Sequence, residues 1–213
     1  MSWYDDTVAV AKAASVRDLG QEESQIAQVL ASDDFLHQRG RLSGVPFYVW
    51  AYPATRELEA RQACARLRTR LRTEHGLTVV VIDLYDLMID VLRGTGMLDR
   101  ILLMEPSLDP EDFRVAVQRM LTPERHLAPR ILQRIQEEPG SDLVFLTGVG
   151  HAFPFIRSHT VLGALESVAT GVPVLLFFPG QYTQSPETGS ALILFGTEPD
   201  QYYRASSILD QIP

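Results

Sequence analysis

The chain has 213 residues, of which 46% are hydrophobic and 22% are charged. These proportions are typical of a folded globular protein and exclude a chain that is mainly disordered. Its formal net charge of −8 argues against a protein that coats nucleic acid, because such binding depends on many contacts to phosphates.

Two residue counts restrict the disulfides and the catalytic mechanisms that the chain can support. Cys64 is the single cysteine, so no disulfide can form within the chain, and a reducing cytoplasm is favoured. The chain has 18 arginines but one lysine, Lys12, in a polar stretch near the N-terminus. The count therefore disfavours a P-loop lysine, a Schiff-base lysine and a lysine general base.

The N-terminal sequence lacks a basic region followed by an apolar run, as a signal peptide would have. No apolar stretch approaches the roughly 20 residues that a membrane span needs. We therefore expect a soluble cytoplasmic protein. Residues 1–20 are predicted to form an arm or a short helix, and residues 21–213 a single α/β domain.

Strands and helices alternate along the predicted domain. Aromatic and β-branched runs indicate the strands, and apolar residues at spacings of three and four indicate the helices. We predict strands over 46–52, 77–82, 141–147, 172–178 and 191–195, with a turn at Pro179-Gly180 after the fourth. We predict helices over 21–37, 55–74, 84–92 and 155–170, and two more in between. One of these two starts at Asp109, and the other runs from Thr122 to about Glu138.

This alternation predicts an α/β fold. We expect a three-layer sandwich with a mostly parallel central sheet of about five strands and added N-terminal helices. The core would be P-loop-NTPase-like or Rossmann-like but without a Walker A motif. In such folds ligands bind beyond the carboxyl ends of the strands. Binding residues are therefore expected in 52–56, 83–86, 147–151 and 179–184.

The turn after the third strand carries two glycines. Gly148 and Gly150 would let backbone amides approach a bound phosphate. However, the turn has neither the third glycine of a Rossmann motif nor a Gly-Lys-Ser/Thr ending. A tight turn that requires glycine is therefore the favoured interpretation.

Two carboxylates follow the second strand. Asp83 stands where a P-loop NTPase places its metal-side aspartate, although a helix cap is the favoured role. If the strand ends hold a ligand, we predict that its site consists of Asp83, Asp86, Thr147, Gly148, Gly150 and His151.

The remaining reactive side chains show no catalytic pattern. The histidines lack the spacing of zinc motifs, and Cys64 falls among the apolar positions of a helix, where a buried thiol is expected. We predict no catalytic residues, no metal and no cofactor. These observations favour a non-catalytic protein and leave catalysis open.

Two segments are candidates for binding a partner. Six arginines crowd the helix after the first strand, and we select Arg61, Arg68 and Arg72. The alternative is a solvated helix face with pairs such as Glu57 with Arg61. The net charge disfavours direct binding of nucleic acid there. The second segment, 202–204, contains Tyr202, Tyr203 and Arg204, residue types that are enriched at interface hot spots.

Segments along nearly the whole chain, in order, resemble the BrxB family, the small B component of BREX (bacteriophage exclusion) systems. They are Phe47–Tyr52, Arg56–Arg61, Ile82–Asp86, Leu143–Gly150, Phe153–Thr160, Leu176–Gly180, Leu194–Gly196 and Tyr202–Ala205. The chain departs from the family pattern in the connection 181–191, which is longer than expected, and in lacking a basic residue before Phe195.

The resemblance implies a cytoplasmic protein of prokaryotic phage defence, encoded beside a methyltransferase, a large ATPase and a PglZ-type protein of the phosphatase superfamily. It implies association with the PglZ-type protein, leaves other BREX components as further candidate partners, and supplies no catalytic residues. Together with the scarcity of lysine and the lack of a complete catalytic set, it favours a non-catalytic scaffold subunit. The alternative is an enzyme or sensor that binds a nucleotide or phosphate at the strand ends.

Overall fold

A computed structural model describes residues 17–37, 47–166, 172–185, 189–196, 200–201 and 205–212. The strands are β1 (Phe47–Tyr52), β2 (Val79–Asp83), β3 (Leu143–Thr147), β4 (Val174–Ser185), β5 (Gly189–Leu194), β6 (Asp200–Gln201) and β7 (Ala205–Ser207). The α-helices are α1 (Leu19–Leu30), α2 (Asp33–His37), α3 (Glu57–His75), α4 (Leu84–Gly94), α5 (Leu98–Met104), α6 (Pro110–Met120), α7 (Ala128–Gln136), α8 (Val149–Ala152) and α9 (Ser158–Glu166).

Five parallel strands form the central layer in the spatial order β2-β3-β4-β1-β7. The end of β4 continues beyond this layer and pairs antiparallel with β5, which pairs in turn with β6. The predicted α/β class and mostly parallel sheet are therefore confirmed.

Both faces of the sheet are buried, because successive strand residues point to opposite sides. On one side, residues such as Trp50 and Phe177 pack against α1 and α3. On the other, residues such as Val49 and Leu176 pack against the helices from α4 to α9. The chain is thus a three-layer sandwich, as predicted.

Local sequence signals set several helix ends. The Asp18 side chain accepts hydrogen bonds from two backbone amides in the first turn of α1, and Asp109 caps α6, where Pro110 follows. Gly76, at a φ of 67°, ends α3 in the left-handed conformation.

The predicted helix over 21–37 is two helices. Ala31 ends α1, and the Ser32 hydroxyl accepts the backbone N–H of Phe35 at 3.3 Å in the first turn of α2. A serine can cap a new helix as readily as it can sit on the surface of a continuous one. The periodicity alone therefore did not reveal this break.

The predicted turn at Pro179-Gly180 is wrong, because β4 runs through both residues to Ser185. A Cβ on Gly180 would lie 2.2 Å from the carbonyl oxygen of Ile193. The glycine thus serves the close approach of β5 and not a chain reversal. Most of the predicted connection 181–191 belongs to this hairpin, and the fifth parallel strand is β7, which the sequence analysis missed.

Among the residues that the structure describes, no helix is both long enough and apolar enough to span a membrane.

Candidate functional site

The predicted cleft lies where β2 and β3 end side by side. Asp83 pairs with Thr147 in the parallel register. The Asp83 carboxylate accepts hydrogen bonds from the backbone amides of Tyr85 at 2.9 Å and Asp86 at 3.3 Å, which makes it the cap of α4. The Thr147 hydroxyl donates to the other carboxylate oxygen at 3.3 Å. The favoured capping role is therefore confirmed.

The position of the Asp83 side chain requires a glycine at 148. Its φ of 74° lies in the left-handed region, and a Cβ would stand 2.3 Å from Asp83 Oδ1. The space beside the glycine is therefore filled by a carboxylate of the protein itself. An anion at this point would meet that negative charge before it met the backbone amides.

Gly150 is covered by side chains from β4 and from the segment after β5. A Cβ there would lie 3.1 Å from the Phe195 ring and 3.2 Å from the Pro179 ring. The Phe195 ring also meets the Phe153 ring edge to face, with 6.0 Å between the centroids. Aromatic and proline side chains therefore cover this part of the turn.

The six predicted cleft residues do not all come together. Asp83, Thr147 and Gly148 form one contact cluster, and Gly150 packs against a different group. Asp86 and His151 are exposed beside them, and no hydrogen bond or ion pair links these two within the described part of the chain. Among those residues, no group of three His, Cys, Asp or Glu side chains is placed to hold a metal ion.

Large apolar side chains are exposed near the same carboxyl edge. Leu58, Tyr85 and Phe195 are 70%, 42% and 52% exposed. Leu58 opens α3 after β1, Tyr85 opens α4 after β2, and Phe195 covers the turn after β3. We call these three residues the apolar rim. Large apolar side chains that stay exposed along one edge of a fold are candidates for an interaction surface.

The apolar rim was not predicted, although the sequence contains one signal for it. The buried positions of α3 begin at Ala60 and recur at spacings of three and four. Leu58 lies on the opposite side of that helix by the period of 3.6 residues per turn. An apolar residue outside the buried stripe was therefore visible in the sequence.

The three selected arginines share one exposed face of α3. Arg61, Arg68 and Arg72 are spaced by seven and four residues, which places them on one side of a helix. All three are exposed, and none makes an ion pair with a residue that the structure describes. We call them the arginine face.

The other arginines at this helix have acidic partners. Ion pairs join Arg56 to Glu59, Arg66 to Glu23 of α1, and Arg70 to Glu74. The suggested pair of Glu57 with Arg61 does not form. Glu57 instead accepts a hydrogen bond from the Tyr52 hydroxyl at 2.7 Å.

Two further predictions concern residues elsewhere. Tyr202, Tyr203 and Arg204 lie outside the described residues, so their predicted role in partner binding stays a prediction.

Cys64 is buried as expected, and this burial raises the pKa of its thiol to about 12. A thiol in this state is a poor nucleophile near neutral pH.

Comparison with known proteins identifies relatives of the chain. No solved structure matches it significantly. The chain is 32% identical over 200 residues to the BREX protein BrxB of Bacillus cereus (strain H3081.97), covering 92% of this chain and 100% of the relative. It is 29% identical over 187 residues to the BREX protein BrxB of Escherichia coli O9:H4 (strain HS), covering 85% and 87%. The family model described as BREX protein BrxB matches residues 80–208. With these matches over most of its length, the chain belongs to the BrxB family, whose members are components of BREX systems.

Proposed function

We propose that this BREX component is a non-catalytic scaffold subunit of the cytoplasm that binds the PglZ-type protein through the carboxyl edge of its sheet. The observation that carries this proposal is that the space beside both glycines of this edge is filled and that large apolar side chains are exposed around it. Side chains of the protein itself occupy the space beside Gly148 and Gly150, and the apolar rim stands exposed around it. Such a surface suits a protein partner better than a phosphate.

The arginine face supports the same proposal. Its guanidinium groups, which form no ion pair with the residues that the structure describes, are suited to carboxylates of a partner, because they bind in a planar and bidentate manner. Aromatic residues and arginine are also over-represented at interface hot spots. The partner is named from the family resemblance, and Tyr202, Tyr203 and Arg204 remain further candidates for this contact.

The test uses the purified full-length chain and the purified PglZ-type protein encoded beside it. The double variant Leu58→Ser with Tyr85→Ser should weaken binding by about tenfold or more, as expected when apolar anchors are removed from an interface. The matched control is Leu103→Ser, because Leu103 is 80% exposed but lies on α5. Binding by isothermal titration calorimetry is the measurement.

Two outcomes would contradict these assignments. If the wild-type chain binds neither the PglZ-type protein nor another BREX component, the proposed function is wrong. If the rim variant and Leu103→Ser bind equally well, the assignment of the rim is wrong. The alternative function is checked by titrating ATP and GTP with Mg²⁺ into the same preparation, where we expect no heat of binding.

A further inference from the structure

The parallel sheet has an open lateral edge at β2. Among the described residues, β2 pairs with β3 on one side and with no strand on the other. The Thr78 carbonyl accepts the amides of Asp142 at 2.8 Å and Leu143 at 3.3 Å, so it points toward β3. Backbone groups alternate in direction along a strand. The N–H and C=O groups of Val79 and Val81 therefore point to the open edge.

A groove of about 300 Å³ runs along this edge. It is lined by all five residues of β2, from Val79 to Asp83, and by side chains from both helical layers. Its floor is thus a strand whose outward hydrogen-bonding groups pair with no strand of the described residues. A strand edge left in this state either carries protective charges or receives another strand.

The two walls of the groove carry opposite charges. Arg68 of the arginine face stands on the α3 side, with no ion pair to any described residue. On the other side stand Asp86 and Asp90 of α4, and Glu137 and Glu138 at the end of α7.

One cation on the acidic wall is already neutralised. Arg134 lies 2.6 Å from Asp90 and 3.9 Å from Glu137. Asp86 and Glu138 keep no cationic partner among the described residues. The α3 wall is therefore basic, and the opposite wall is acidic.

This polarity specifies the occupant. Side chains of a strand added to β2 would point alternately toward the two helical layers. Those that face α3 meet arginine and should be acidic, and those that face α4 and α7 meet carboxylates and should be basic. A strand that alternates acidic and basic residues would satisfy both walls together.

Two copies of this chain do not fit together through their β2 edges. An antiparallel β2–β2 pair related by a two-fold axis keeps like faces together. The basic wall would then meet a basic wall, and the acidic wall an acidic one. Like charges placed opposite each other oppose such pairing.

We infer that the β2 edge is a docking site for an extended segment of another protein, which adds to the sheet as a strand of alternating acidic and basic residues. This inference goes beyond the proposed function and does not depend on the identity of the partner. The groove at the β2 edge includes Arg68 of the arginine face but none of the three residues of the apolar rim, so variants of the rim and variants of Val81 test the two proposals separately.

The first experiment uses a short synthetic peptide in which lysine and glutamate alternate. Its control has the same composition, with the lysines in one block and the glutamates in the next. Residue-resolved NMR of the full chain should show that the alternating peptide slows amide exchange at Val79 and Val81 by about tenfold or more, as expected for new backbone hydrogen bonds. Val80 and Ile82, already paired with β3, should change little.

Backbone variants test the same contact. Val81→Pro removes the outward N–H, and proline is tolerated at a strand edge, so peptide binding should be lost. Val81→Thr keeps the N–H and the branched side chain, and binding should persist. If Val81→Pro does not fold, as judged by its thermal unfolding, Arg68→Glu replaces it. The control is then Arg125→Glu, which changes an exposed arginine in the helical segment 123–127, outside the groove.

The outcomes separate the two proposals. Protection of Val79 and Val81 by the alternating peptide alone supports the docking site, whether or not the PglZ-type protein binds. Absence of protection, or equal protection by the block peptide, overturns it. Failure of the PglZ-type protein to bind the wild-type chain overturns the proposed function alone.

Discussion

The two faces of the central sheet are built from different chemistry. Toward α1 and α3 the strands present aromatic side chains, including Trp50, Tyr52 and Phe177, and ring pairs such as Trp50 with Phe177 meet at 5.4 Å between centroids. Toward α4 to α9 they present mostly aliphatic side chains such as Val49 and Leu176. We refer to these as the aromatic face and the aliphatic face.

The aromatic face also carries directional bonds. The Trp50 indole N–H donates to Glu22 of α1 at 2.8 Å, and Arg17 donates to both oxygens of the same carboxylate at 2.7 Å. Tyr52 donates to Glu57 at the start of α3. Aliphatic packing is non-directional, whereas these bonds fix the helices relative to β1. The helix that presents the arginine face is therefore anchored by specific contacts.

The largest expected effect comes from removing the centre of the aromatic face. Trp50→Ala should lower the free energy of unfolding by about 3–5 kcal/mol, because it empties a fully buried site. Chemical denaturation measures the loss. Leu176→Ala is the matched truncation on the aliphatic face, and its cost should reflect packing alone. A cost for Trp50→Ala below about 1 kcal/mol would contradict the anchoring role of this residue.

A smaller effect is expected from the carboxylate that joins α1 to β1. Glu22→Ala should cost about 1–3 kcal/mol, because it leaves the buried indole N–H of Trp50 without its acceptor. The control is Glu111→Ala, which removes an exposed ion pair with Arg114 and should cost clearly less than Glu22→Ala, because solvent screens the pair.

A double-mutant cycle can test whether the cost of Glu22→Ala comes from its bond to Trp50. Glu22→Ala should cost less in a Trp50→Ala background than in the wild type, since no indole then remains to be orphaned. In a Leu176→Ala background its cost should be unchanged. Equal costs in all three backgrounds would show that the Glu22–Trp50 bond does not couple α1 to the aromatic face.

Much of the layer architecture was predictable from local signals. The apolar run before Asp83, the capping aspartate at Asp109 and the terminating Gly76 each specify a strand or a helix end through nearby atoms. Because strands alternated with helices, the parallel sheet followed from chain connectivity. These predictions succeeded because the signal and its cause lie within a few residues of each other.

The failures involve contacts between distant residues. Pro179-Gly180 has the composition of a turn, but Gly180 is required by the backbone of Ile193. The sequence favoured a tight turn at Gly148, but it did not show that the Asp83 carboxylate, 65 residues earlier, fills the space beside that glycine. A glycine in the sequence does not show which distant atoms lie next to it. The sequence could therefore place these residues at one edge of the sheet, but not the side chains that fill the space there.

The smallest effect, about 1 kcal/mol, is a pH dependence confined to the aromatic face. Burial raises the pKa of the Cys64 thiol from 9.0 to about 12. Above pH 9 the unfolded chain therefore loses a proton that the folded chain keeps, so stability falls as the pH rises through this window. Between pH 9 and 10 the wild type should lose about 1 kcal/mol from this thiol.

Comparing variants isolates the thiol from other groups that titrate at alkaline pH. Burial and the hydrogen bond to Glu57 raise the pKa of Tyr52 above its usual value of 10.0, so the unfolded chain loses this proton first, and Tyr52 adds a smaller loss of stability as the pH approaches 10. Cys64→Ala should abolish the thiol contribution, whereas Leu176→Ala should keep it, since that change lies on the aliphatic face. Denaturation curves at pH 9 and pH 10 provide the measurement. If the wild type and Cys64→Ala lose stability in parallel, the thiol is not protected by burial, and the aromatic face is more open than its packing indicates.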